Sequence, residues 1–179
     1  MMTPNNSSFK NIIFIAGSGR NVGKSFLGEY LLGQISALYP VNSLKITSHF
    51  YEPTSGLVLL KKGTNWRLFE ETRANDGKDS ERYLMAGAEH SYYAEVEQNS
   101  LQLFVNELHA FIDINKILLV ESAVLGNFIT PNFAFFIQGE GEKVCTWNFP
   151  YVELQSIDSK IVSMPKSLIF KDEKWQIEW

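Results

Sequence analysis

Cysteine is almost absent: the 179-residue chain carries Cys145 alone, so no internal disulfide can staple it. Histidine is also scarce, and three histidines beside one cysteine argue against a dedicated zinc site. Long apolar runs are missing. The most apolar stretches, residues 12–16 and 117–120, are far too short to span a bilayer, so no membrane partner is expected. Residues 1–9 are polar and lack an apolar stretch behind a basic start; they read as a flexible lead, and a cytoplasmic location is expected. Positive charge is not in excess. The net charge of −4 argues against a broad nucleic-acid footprint. Internal repeats and low-complexity runs are lacking too.

What remains is an ordinary globular composition, 45% apolar and 20% charged, enough to bury a sizeable core without a structural metal. Residues 10–16 (KNIIFIA) form a short apolar run typical of a buried strand. Residues 24–38 place Phe26, Leu27, Tyr30, Leu31 and Ile35 at helical spacing, and Pro40 stops the helix. A second strand is expected at residues 44–47. Residues 56–62 and 66–72 read as a pair of strands, and residues 73–78 as a turn. A helix over 79–88 has Asp79 or Ser80 near its start as N-cap. Residues 92–96 are strand-like. Residues 100–112 are strongly amphipathic, with Leu101, Phe104, Val105, Leu108 and Ile112 on one helical face. Residues 116–121 (KILLVE) form a buried strand that ends in an acid, and residues 132–138 a further strand. After Gly139 the chain turns β-rich and aromatic, with two or three short strands and a hairpin ending in KWQIEW. Strand and helix alternate over residues 10–138, which predicts an α/β fold with a mainly parallel sheet. The expected organisation is a nucleotide-binding domain over 10–139 and a β-rich extension over 140–179 packed on it.

The strongest chemical signal is the loop between the first strand and helix, IIFIAGSGRNVGKSFLGEYLL. Strand, glycine loop, Gly-Lys-Ser and helix in that order are what a phosphate-binding P-loop requires. Glycines let backbone N–H groups turn inward around a phosphate, and the helix start offers the positive end of its dipole. The nucleotide-binding set is Gly17, Ser18, Gly19, Arg20, Asn21, Val22, Gly23, Lys24 and Ser25. Lys24 is the catalytic candidate, a mobile cation for the outer phosphates, and the Ser25 hydroxyl is a Mg²⁺ ligand. The strict pattern has glycine at position 18; here Ser18 stands there, and Gly17 lies one residue earlier.

The spacing Gly, five residues, Gly-Lys-Ser is similar to that of dethiobiotin synthetase. The later segments point elsewhere. Lys45-Ile46-Thr47-Ser48-His49, then Gly77-Lys78-Asp79-Ser80-Glu81-Arg82 with Ala86-Gly87-Ala88, then Leu119-Val120-Glu121 resemble, in order, segments of the MobB family of molybdopterin-guanine dinucleotide biosynthesis adapters. The resemblance implies a P-loop NTPase-like fold that binds GTP or ATP with Mg²⁺, acts as a homodimer and assists a partner enzyme in molybdenum cofactor biosynthesis. The chain departs from that family at Phe50, where an Asp is usual, at Ser122, where a Gly is usual, and in an added stretch over residues 51–72.

Other candidates carry two readings each. Glu121, at a strand end, reaches Mg²⁺ or caps a neighbouring turn. Lys45 contacts a phosphate or substrate carboxylate, or is a lysine at a strand edge. His49 is a ligand contact or a structural histidine. Asp79 caps its helix, faces the ligand, or both, and Arg82 contacts an anion or is solvated. The Asn-Lys-x-Asp motif of many GTPases is missing, so base preference stays open between GTP and ATP. Three functions follow: a nucleotide-binding adapter with slow or no hydrolysis, an ATP-dependent phosphoryl-transfer enzyme or carboligase related to dethiobiotin synthetase, and a degenerate P-loop domain used for protein contact.

Overall fold

The computed structural model describes residues 11–75, 77–113, 115–140, 144–172 and 174–179. The expected flexible lead lies outside the described residues. Strand β1 (Ile12–Gly17) is buried along its whole length. Its side chains alternate between two apolar layers: Ile13 and Ile15 join one, while Ile12, Phe14 and Ala16 join the other. A continuous apolar run therefore needs cover on both faces, which puts β1 in the middle of a sheet. Helix α1 (Lys24–Ile35) covers one face with Leu27, Leu31, Leu32 and Ile35. Helix α3 (Leu101–Leu108) covers the other with Leu101, Phe104, Val105 and Leu108. Phe26 departs from the expected inward stripe: it is 56% exposed, in the first turn of α1.

The remaining strands of the main sheet are β2 (Val41–Thr47), β3 (Leu57–Gly63), β4 (Trp66–Glu71), β5 (Ser91–Val96), β6 (Ile117–Ser122), β7 (Phe133–Gln138), β8 (Val152–Ile157) and β9 (Lys160–Ile161). Their order is β3-β4-β5-β2-β6-β1-β7-β8-β9. The pairs from β5 through β8 are parallel, and β3–β4, β4–β5 and β8–β9 are antiparallel. The protein is thus α/β with a mostly parallel mixed sheet. The added stretch forms the β3–β4 hairpin and lengthens the sheet beyond β5.

Helix α2 (Asp79–Met85) is shorter than the sequence pattern suggests, because Gly87 takes a left-handed φ of 109° just past its end. Its N-cap position is Lys78, and no side chain caps it. The expected capping role of Asp79 or Ser80 is therefore corrected: Asp79 bonds elsewhere, and Ser80 Oγ donates to Glu71. Helix α3 ends at Leu108, yet Ile112 is still carried into the core by a turn whose N–H groups return to Leu108 O. The last two strands, β10 (Ser167–Lys171) and β11 (Lys174–Glu178), form the expected hairpin. It lies against α1 and the turn after it, where Gln34 of the helix donates to Lys166 O at 2.7 Å and Tyr39 of the turn to Phe170 O at 3.2 Å.

Topology decides where a ligand can sit. The chain leaves β1 through α1 to β2, two places away, and returns from β5 through α3 to β6, which fills the gap. The carboxyl ends of β1, β2 and β6 therefore open on one edge, where the direction of winding reverses, the usual place for a crevice in such sheets.

Candidate functional site

A cleft of about 930 Å³ lies over those strand ends, lined by the loop after β1, residues 45–49, Asp79 and Glu121 among others. The loop is built from the chain's own constraints. At Gly17 a Cβ would stand 2.8 Å from Ile137 O and 2.7 Å from Val22 Cγ2, so only glycine lets the strand end lie this close to β7. Ser18, the residue out of pattern, ties the same two segments: Gly139 N–H donates to its Oγ at 2.8 Å, and its own N–H donates to Ile137 O at 3.0 Å. Asn21 (φ 57°) and Gly23 (φ 97°) turn the loop into α1 through left-handed backbone, which glycine and asparagine adopt most readily. Val22 is buried beneath the loop, while Gly19, Arg20 and Asn21 are exposed at its tip. Residues 20 and 21 form a turn at that tip. Lys24 Nζ lies across the loop and donates to Gly19 O at 2.5 Å.

Beneath the loop sits a charged cluster. Ser25 Oγ donates to Glu121 Oε2 at 3.1 Å. Tyr83 OH, fully buried on α2, donates to the same oxygen at 2.5 Å. Lys45 Nζ donates to Glu121 Oε1 at 3.1 Å, to Asp79 Oδ2, and to Ser25 Oγ at 3.5 Å. Arg82 pairs with Glu29 at 2.5 Å and approaches Asp79 Oδ1 at 3.8 Å, so it is bound rather than merely solvated. Burial pushes the Asp79 carboxyl up, but the charge of Lys45 and the hydrogen bonds to it outweigh that and hold it below its ordinary value. Burial likewise lowers Lys45, and the charges of Glu121 and Asp79 more than offset it, so its ammonium is held above the usual range. The Tyr83 hydroxyl is raised well above the ordinary phenol value, by burial first and then by Glu121's charge.

Lys45, Asp79, Ser25 and Glu121 thus come together from four elements. Lys45 is not at a sheet edge: β2 lies between β5 and β6. His49 stands apart, exposed, with Nε2 3.0 Å from Arg20 Nη2 at the cleft mouth. Phe50 is 43% exposed and carries the Arg67 guanidinium 5.3 Å from its ring centroid.

Two residues of the site escape sequence reasoning. Tyr83 reads as an ordinary apolar position of a short helix. Glu95 looks like a polar interruption of a strand, yet it is 1% exposed and forms part of the cleft wall. It accepts from Tyr51 N–H at 2.8 Å and Arg67 Nε at 2.7 Å, which pins the segment after His49 to β5. The one signal for it is an acid at an otherwise apolar place in SYYAEV, with Arg67 directly opposite in the paired strand.

No protein family, curated protein or solved structure matches the chain. Among the described residues, no helix is long and apolar enough to cross a membrane.

Proposed function

We propose that the chain is a Mg²⁺-dependent purine-nucleotide-binding protein of the P-loop type, MobB-like, serving as an adapter to a partner enzyme in cofactor biosynthesis with slow or no hydrolysis. One observation carries the reading. The hydroxyl of the Gly-Lys-Ser serine lies 3.1 Å from a carboxylate near the carboxyl end of β6, the parallel strand that lies between β1 and β2. That pairing of loop hydroxyl and strand-end acid is what a phosphate-bound Mg²⁺ needs. The donor set fits such an ion: Ser25 Oγ, Glu121 and Asp79 offer only hard oxygens, and all three face one point. Mg²⁺ would supply neutralisation of phosphate charge there. The protein's own groups position the rest. Residues 19–23 present amides for the phosphates, α1 begins at them, and Lys24 leaves Gly19 O to meet the outer phosphate.

A second reading, an ATP-dependent phosphoryl-transfer or carboligase enzyme related to dethiobiotin synthetase, draws on the extent of the cleft. It runs past the loop to Tyr51, Glu52, Leu57 and Tyr93, beyond what phosphates occupy, and leaves room for a small substrate near Lys45.

Titration calorimetry of GTP and ATP with Mg²⁺ tests the proposal. Wild type binds one or both, and Lys24→Ala weakens binding by about 10- to 100-fold, the worth of a charge-assisted hydrogen bond of about 1.5–3 kcal/mol. Phosphate release that depends on an added small substrate would favour the enzyme. No heat with either nucleotide, in protein shown to be folded, would leave the degenerate P-loop domain as the better account.

A further inference from the structure

The oxygens assigned to the metal all point at an atom that is already present. Ser25 Oγ, Asp79 Oδ2 and Glu121 Oε1 surround Lys45 Nζ. We propose that Lys45 is the resident counter-ion of this cluster, and that a divalent cation reaches these oxygens only when the ammonium swings out into the cleft. The inference rests on the reading of Ser25 and Glu121 as metal ligands.

Charge accounts for the resting arrangement. Two carboxylates gathered under a loop need positive charge nearby, and Lys45 supplies it. It offsets only one of the two negative charges, whereas a divalent ion offsets both. An ammonium and a divalent cation repel too strongly at contact distance for the two to share three oxygens.

The geometry makes the lysine the exchangeable member. Glu121 Oε2 is braced from behind by Tyr83 OH at 2.5 Å, and Asp79 Oδ1 faces Arg82 at 3.8 Å. Neither brace involves Lys45, so the oxygens stay in place when the ammonium leaves. The Lys45 side chain is 21% exposed, against 4% for Glu121, and both line the cleft. Its long flexible stem has a way out, and a phosphate on the loop offers the ammonium a new partner. Metal and anion would then arrive together, each favouring the other's binding.

The test uses Mn²⁺ alone, with no nucleotide, and reads free Mn²⁺ by its electron paramagnetic resonance signal at a pH well above the carboxylate range. Lys45→Met is expected to bind Mn²⁺ roughly tenfold or more tightly than wild type. Lys45→Arg, which keeps the charge, gains nothing. Adding Asp79→Asn to Lys45→Met removes the gain. Circular dichroism verifies that each variant is folded, and Lys45→Gln is read in the same way if Lys45→Met is not. Equal affinity in wild type and the neutral variant, or a gain that survives Asp79→Asn, overturns the proposal. Because no nucleotide is present, this outcome is separate from that of the Lys24→Ala titration.

Discussion

Replacing Tyr83 by Phe removes one oxygen from the centre of the cluster and little else. The residue is fully buried, and its hydroxyl donates to Glu121 Oε2 at 2.5 Å. A hydrogen bond to a charged group is worth about 1.5–3 kcal/mol net. The ring is retained, so no large cavity opens. Glu121 keeps its bonds from Ser25 and Lys45, and the carboxylate is not stranded. These two facts place the loss near the lower half of the range, about 2 kcal/mol. For a chain of this length that lowers Tm by roughly 4–8 °C. The assay is urea unfolding at neutral pH, with the midpoint reduced and m unchanged. A loss below about 0.5 kcal/mol would refute the reasoning, since it would mean that the phenol's bond to Glu121 contributes no more than an exposed one.

Other perturbations probe the same construction. Asp79's carboxyl is held below its ordinary value of 3.8, chiefly by Lys45 acting against burial. Its contribution is therefore present above that value and lost as pH falls through the lower folded value; Asp79→Asn should flatten this acid limb of the urea midpoint against pH. Lys45 is held above its ordinary 10.5 despite burial, by Glu121 and Asp79. Its contribution is complete below that value and lost as pH rises through the higher folded value, and Lys45→Met should remove the alkaline limb. Gly17→Ala places a methyl 2.8 Å from the backbone oxygen of Ile137, which β7's pairing with β1 keeps from moving. Overpacking of this kind should cost about 1–3 kcal/mol in thermal or urea unfolding, and a change inside the error of those methods would show that the β1–β7 contact is more pliable than drawn.

Much of the local structure is legible along the chain. The apolar run before the loop, the amphipathic stripe from Leu101 to Ile112 and the paired strands around residues 57–71 all follow from period and turn chemistry that act over a few residues. The terminal hairpin is legible for the same reason, with left-handed Asp172 at its turn. The site is only partly legible. Gly23, Lys24 and Ser25 announce themselves by spacing. Lys45 reads equally well as an edge lysine, because nothing local tells that β5 and β6 pair with β2 on its two sides. Asp79 reads as a helix cap, since an acid at a helix start ordinarily is one, and its bond to Lys45 outweighs that preference here.

By itself the sequence determined the alternation of strand and helix, the phosphate-loop pattern and the residues that carry charge near it. These are properties of neighbours in the chain. Only the tertiary structure decided which charges meet. Ser25 and Glu121 are 96 residues apart, and Lys45 and Glu121 76. Their contact is set by the order in which strands are laid into the sheet, and that order is chosen by burial of both faces of β1, β2 and β6 rather than by any motif.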